Sequence, residues 1–197
     1  MTIEVEESLL HWNYFLALAN DLESVSRYIE FTTSNFKTYS IELAHLLLAS
    51  ASEVDVVAKG ICKHLEPDSN PDNINQYRDI ITRHIPSFSQ EQVFVLRYGL
   101  TFRPWTNWRI KEKNPLWWKS YNNVKHQRSV YFEDANLKNV LNSLGGLLIV
   151  VFYFYKLKFS SDLPAPLDNR EVTMRLRPEL DFLRLQPNYY YRKAFLP

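Results

Sequence analysis

The sequence has little cysteine and little glycine: one cysteine and four glycines among 197 residues. A single cysteine, Cys62, excludes an intramolecular disulfide and a cysteine-based zinc site, and it fits a reducing compartment. Cys62 lies within an apolar helical pattern, which favours a small buried side chain over an activated nucleophile. So few glycines, with an apolar fraction of 46%, argue against disorder and against an all-β protein rich in tight turns. The composition therefore favours a packed, helix-rich core.

Three kinds of chemical motif are absent as well. The four histidines other than His126, at positions 11, 45, 64 and 84, show no HxxxH or HxxE spacing with one another, so nothing supports a zinc site. Gly99 stands alone and Gly145-Gly146 falls inside an apolar pattern, so no glycine loop can cradle a phosphate. A serine-hydrolase motif is missing too. We therefore expect no cofactor and no metal.

No apolar run is long enough for a membrane helix. The strongest, residues 144–155, has 12 residues, whereas a span needs about 20. Residues 1–8 carry three glutamates and no basic residue, which is the reverse of a secretory signal. We expect residues 144–155 to be a buried core helix, and the protein to be cytoplasmic with no membrane partner.

The apolar spacing predicts helices in the first half of the chain. Two long helices are predicted over residues 10–31 and 40–65, and they should pack antiparallel. Asp72 or Asn73 can cap a short helix that stops before Pro86.

The second half contains two further helix starts. Asn114 and Pro115 can open one helix, since asparagine caps free amides and proline loses no hydrogen bond at the first position. Another helix should start near Asp134 and present the longest apolar face in the chain. Within it, Gly145 and Gly146 should let a neighbouring helix approach closely.

The remaining segments have no helical pattern. Residues 86–114 predict a loop-rich insertion with short extended pieces. In the proline-rich tail, residues 161–197, three apolar residues alternate with polar ones, which predicts a strand; they are Val172, Met174 and Leu176. The predicted fold is mainly α: an antiparallel four- to five-helix bundle over residues 1–160, on which an extended or strand-containing tail packs.

Positive charge is concentrated in residues 103–128, which hold seven basic residues and one acid, whereas residues 1–30 hold six acids and one base. Basic groups neutralise phosphates and aromatic faces stack on unpaired bases, so the mixture suits single-stranded nucleic acid. The candidate nucleic-acid-binding residues are Arg103, Trp105, Trp108, Arg109, Lys111, Lys113, Trp118, Tyr121 and Lys125. Amphipathic packing at a core edge, or pairing with the acidic N-terminal helix, would explain the same pattern.

One cluster within this segment could carry chemistry. On a helix, Lys119, Asn122 and His126 share one face, where they could hold a phosphate and move a proton. Histidine exchanges a proton closest to neutral pH, so His126 is the best general acid or base. Lys125 and Arg128 can supply positive charge to a transition state.

Asp55 places a carboxylate on the apolar stripe of the second long helix. Buried carboxylates need partners, and the basic segment is the richest source of them. We predict that Asp55 orients His126, Lys125 or Arg128. A structural ion pair without a catalytic role is the alternative.

Residues 8–158 contain two long helices, the segments LLASASEVD at 47–55 and YNNVKHQR at 121–128, and a closing apolar helix. In this combination they resemble the HEPN superfamily. It implies a helical bundle of the kind found in bacterial toxin, antiphage and RNA-processing systems, commonly a homodimer that acts on RNA. The tail beyond residue 160 has no part in the resemblance.

The activity that this resemblance implies is that of a metal-independent endoribonuclease, in which the 2′-hydroxyl attacks the adjacent phosphate and His126 transfers a proton. The family's usual motif separates an arginine from the histidine by roughly four to six residues. Here the matching positions before His126 hold Lys119, Ser120 and Tyr121, while Arg78 and His84 meet the spacing in the short middle helix.

Two other functions fit the same residues. One is a non-catalytic HEPN-like module that binds nucleic acid or a nucleotide. The other is a subunit that binds a cognate partner protein, with the proline-rich tail as the contact arm.

Overall fold

The computed structural model describes residues 8–191, so most of the acidic N-terminal octapeptide and residues 192–197 lie outside the described residues. The chain is mainly helical, as predicted. Its helices are α1 (Leu10–Val25), α2 (Ile41–Leu65), α3 (Ile74–His84), α4 (Leu116–Tyr131), α5 (Leu137–Ser160) and α6 (Asn169–Arg175). Strands β1 (Val93–Val95) and β2 (Leu100–Phe102) form an antiparallel hairpin in the predicted loop-rich insertion, with Val93 opposite Phe102.

Side-chain caps fix where α2, α3 and α5 begin. Ser40, Asn73 and Asn136 precede α2, α3 and α5, and each accepts a hydrogen bond from a backbone N–H in the first turn. Those amides would otherwise lack a partner, because the helix offers them no carbonyl. The prediction of Asn73 as a cap is confirmed. Helix α5 begins later than predicted, because residues 132–134 form a separate 3₁₀ turn.

Helix α4 starts differently from the prediction. Pro115 is the residue that precedes the helix, and no side chain caps it. Asn114 instead donates a hydrogen bond from Nδ2 to Oδ1 of Asn75, at 2.8 Å, which ties the start of α4 to the start of α3. Tertiary contact therefore sets this boundary.

Helix α5 forms the centre of the core. Every residue from Ser143 to Tyr153 is buried, so this stretch is enclosed on all sides rather than on one stripe. Within residues 8–191, α5 alone is long and apolar enough to cross a membrane, and 78% of its apolar window is buried inside the protein. The prediction of a buried core helix is confirmed. Helix α2 packs along α5, and the hydroxyls of Ser50 and Ser143 meet there at 2.7 Å.

The two glycines of α5 mark points of close approach, as predicted. A Cβ at Gly145 would lie 2.6 Å from Cε2 of Phe102, and one at Gly146 would lie 3.0 Å from Cζ2 of Trp117. The neighbours are thus the hairpin as well as a helix. Without a side chain at these positions, the insertion and α4 rest directly on the α5 backbone.

The tail corrects one prediction. Val172 and Met174 belong to helix α6, not to a strand. Asp168 and Glu171 form a reciprocal capping box that starts this helix, and an alternation of three apolar residues is too short to outweigh it. Val172 and Leu176 join the same hydrophobic cluster as α5, and Arg184 makes an isolated antiparallel bridge with Phe94 of β1.

We predict that Gly145→Ala lowers the free energy of unfolding by about 1 to 2 kcal/mol. Alanine gains about 1 kcal/mol of helix propensity over glycine, but the overlap with Phe102 and Pro104 is severe and costs about 2 to 3 kcal/mol. Urea denaturation measures the difference. Gly60→Ala is the matched control: its Cβ meets the ring of half-buried Phe154, which can turn away, so this variant should be no less stable than the original protein. Equal stability of the two variants would contradict the close approach at α5.

Candidate functional site

A groove of about 970 Å³ separates the first half of α2 from the second half of α4. Its floor is apolar and its rim on α4 is basic. We call it the α2–α4 groove, and its lining residues are Ile41, Ala44, Leu48, Val124, Lys125, His126, Arg128, Ser129 and Phe132. Three residues of the predicted chemical cluster therefore lie together: Lys125, His126 and Arg128.

The backbone of α4 is interrupted at this point. Gln127, between His126 and Arg128, has φ −142° and ψ 45°, outside the helical region. Lys125 and Arg128 are three residues apart, a spacing that places them on one side of a helix, and both line the groove together with His126. Residues 125–130 are all exposed. Nothing in the sequence signals this interruption, because neither proline nor glycine is present there.

His126 is exposed and accessible to a ligand in the groove. Its imidazole makes no hydrogen bond or ion pair with any residue between 8 and 191. Lys125 makes a cation–π contact, because its Nζ lies 5.4 Å from the ring centroid of Tyr121. The groove thus presents two cations and one imidazole, with no acidic residue among its lining side chains.

Lys119 and Asn122 do not join His126 in the groove. Lys119 is exposed but lines no part of it. Asn122 donates from Nδ2 to the backbone oxygen of Trp118, one turn earlier in α4, at 2.9 Å. The shared helical face predicted for these three residues does not become a shared site, because the groove lies beside the last turns of α4 only.

Asp55 contacts a different helix from the one predicted. Its carboxylate lies against the hydroxyl of Tyr77 on α3, and burial, followed by this carboxylate, raises the pKa of Tyr77. Among the described residues, no hydrogen bond or ion pair joins Asp55 to Lys125, His126 or Arg128. Asp55 is two turns beyond Leu48, the last residue of α2 that lines the groove.

The four aromatic residues predicted to stack on bases are buried. Trp105, Trp108, Trp118 and Tyr121 each expose 9% of their surface or less. Trp105 lies 4.2 Å from Trp108 between ring centroids, and its Nε1 donates to the backbone oxygen of Gly146. These rings close the space between the insertion, α4 and α5, where a large aromatic side chain contributes most by burial. The base-stacking assignment is therefore wrong.

The predicted cations of the insertion remain at the surface. Their side chains are exposed and form no hydrogen bond or ion pair within residues 8–191; they are Arg103, Arg109, Lys111 and Lys113. The described acids of α1 do not neutralise them, because the α1 ion pair that the structure shows joins Glu23 to Arg97. These groups stay available to a polyanion.

The arginine and histidine of α3 are already paired. Arg78 is buried and binds the carboxylate of its neighbour Asp79 at 2.9 Å, while His84 lies 2.8 Å from Oε1 of Glu66. Their motif spacing places them on one helix, but each has its own structural partner.

Sequence reasoning missed a second cluster. Glu91 exposes only 6% of its surface, and the hydroxyls of Tyr153 and Tyr189 both donate to its Oε1. Lys156 lines the same pocket. The signals available in the sequence were a glutamate two residues before the apolar stretch of β1 and a lysine directly after the apolar run 144–155. No group of three or more His, Cys, Asp or Glu side chains within the described part of the chain is arranged to hold a metal ion.

Comparison with protein-family models, with curated proteins and with solved structures finds no match to this chain.

We predict that Cys62 does not react with a thiol reagent in the native protein at neutral pH. The side chain is fully buried, and burial, followed by the charge of Glu66, raises its pKa to about 12. The reactive thiolate is therefore scarce and inaccessible. A disulfide reagent whose release is followed by absorbance measures the reaction. The exposed groove position in Ser129→Cys should react within the dead time of the same assay, and rapid modification of Cys62 itself would show the core to be open.

Proposed function

We propose that the α2–α4 groove binds single-stranded RNA and that the protein is a metal-independent endoribonuclease with His126 as its proton-transfer residue. The observation that carries the proposal is an exposed, unpaired imidazole between two cations in a large groove that holds no acid. Phosphates would lie against Lys125 and Arg128, and the exposed cations of the insertion would extend the attraction along the strand.

The chemistry needs only these groups. Neutral His126 accepts the proton of a ribose 2′-hydroxyl as its oxygen attacks the adjacent phosphorus. The bond from phosphorus to the 5′ oxygen of the next nucleotide breaks, which leaves a 2′,3′-cyclic phosphate and a 5′-hydroxyl. Lys125 and Arg128 would stabilise the negative charge that develops on the phosphoryl oxygens. Protonation of the leaving oxygen falls to water or to His126 of a second copy, which is the homodimer that the family resemblance implies.

A non-catalytic RNA-binding module is the second candidate, favoured by the position of Asp55. No carboxylate orients His126 within the described residues, and the arginine of the family motif is replaced by Lys119, Ser120 or Tyr121. Lysine cannot reproduce the planar, two-pronged phosphate contact of arginine. In this second case the groove holds RNA without cutting it. A cognate partner protein stays a prediction.

We predict that His126→Ala lowers the rate of RNA cleavage by about a hundredfold to ten-thousandfold, the usual contribution of a general acid or base. Cleavage of single-stranded and transfer RNAs is followed in excess chelator. Affinity for RNA should change little, because Lys125 and Arg128 remain. His45→Ala removes an exposed histidine of α2 that does not line the groove, and it should cut at the original rate.

The double change Lys125→Gln and Arg128→Gln tests whether RNA lies in the α2–α4 groove, as both candidates require. We expect weaker RNA binding and a smaller slope of log affinity against log salt, by roughly 0.7 for each phosphate that the protein no longer neutralises. Lys59→Gln, an exposed cation of α2 outside the groove, is the control. Salt-dependent binding with no cleavage by the original protein would support the non-catalytic module, and absence of any RNA binding would rule out both.

A further inference from the structure

A second pocket, of about 300 Å³, lies where three segments of the chain meet. The segment before β1 contributes Ile85, Ser87 and Glu91, helix α5 contributes Tyr153 and Lys156, and the tail adds Asn169 and Tyr189. Its volume is at the lower end of the range for small-molecule sites. It shares no lining residue with the α2–α4 groove.

The acidic end of this pocket has an excess of hydrogen-bond acceptors. Both tyrosine hydroxyls donate to Oε1 of Glu91 at 2.7 Å, so their protons are already committed to that carboxylate. Burial raises the pKa of both Tyr153 and Tyr189, and these phenols stay protonated at neutral pH. Oε2 of Glu91 is buried and has no donor within the described residues. A buried acceptor of this kind normally has a partner.

The basic end has an excess of donors. Nζ of Lys156 donates one hydrogen bond, to Oδ1 of Asn169 at 2.7 Å, and forms no ion pair with Glu91 in the described part of the chain. The Nδ2 donors of Asn169 also have no partner there. Burial lowers the pKa of Lys156, and the negative charges of Glu91 and Asp168 oppose this effect. An incoming anion would therefore stabilise the charged form of this partly desolvated ammonium group.

We propose that this pocket binds a small carboxylate with a hydrogen-bond donor at its other end, as in an amino acid or a hydroxy acid. The carboxylate accepts from Lys156 and Asn169. The donor end faces the tyrosine oxygens and Glu91. Leu157 and Pro166 form an apolar wall beside the carbon atoms that join the carboxylate to the donor. Because α5 and the tail each supply one of the two residues that hold the carboxylate, binding fastens the tail to the core.

Calorimetric titration of the full chain with three probes tests the proposal. L-Serine has both ends, acetate has only the carboxylate and ethylammonium has only the donor. We expect L-serine to bind with a dissociation constant below about 10 mM, and each one-ended probe to bind at least about tenfold more weakly. Lys156→Met should weaken L-serine binding by about tenfold to a hundredfold, the usual effect of losing a charged hydrogen bond. Lys138→Met removes an exposed lysine near the start of the same helix and should bind as the original protein does.

Two further measurements keep the test decisive. Glu91→Gln should weaken L-serine more than acetate, because only L-serine contacts the donor end, whereas the effect of the lost charge on Lys156 is common to both ligands. In the original protein, saturating L-serine should slow amide hydrogen exchange across residues 166–175, and this result stands even if Lys156→Met does not fold. The proposal is overturned if no probe binds saturably, if Lys156→Met binds L-serine unchanged, or if exchange in the tail is unaffected.

Discussion

The packing of α2 along α5 is the contact from which the other elements take their places. From Ser143 to Tyr153 the central helix has no residue facing solvent, so it is stable only while neighbours cover every side of it. Helix α2 covers one side, with the two serine hydroxyls paired at the contact and satisfying each other away from water. Helices α1 and α4 cover other sides of α5, and α6, which belongs to the tail, also packs on it.

Gly145 and Gly146 connect this core to the hairpin insertion and to α4, the helix that lines the α2–α4 groove. Their missing side chains admit Phe102 and Trp117, and that contact seats the insertion and the start of α4 on α5. The same packing buries the tryptophans of residues 103–128, so their rings are not available to stack on bases. Beyond these rings, residues 125–130 of α4 are exposed, and Lys125, His126 and Arg128 line the groove.

The two candidate sites differ in how they treat charge. The α2–α4 groove is open, and its cations are exposed to solvent, where salt screens their attraction for a polyanion. The second pocket buries a carboxylate and half buries a lysine without an ion pair between them. In this region of low dielectric, each of the two charged groups can accept a further hydrogen-bond partner. An open site of the first kind suits an extended strand, whereas the second suits a small molecule that satisfies both ends.

The sequence predicted those features that depend on residues close together in the chain. Helical spacing, the cap at Asn73, the buried apolar run of α5 and the glycine contact all follow from neighbours along the chain. The sequence also singled out Lys119, Asn122, Lys125, His126 and Arg128 by residue type and helical spacing, and the structure brings only the last three into one groove. Only the tertiary structure decided that the tryptophans are core residues, that Asp55 lies against Tyr77 and that Glu91 meets Lys156 in one pocket. Burial and pairing depend on which distant segments meet, and no periodicity within a segment carries that information.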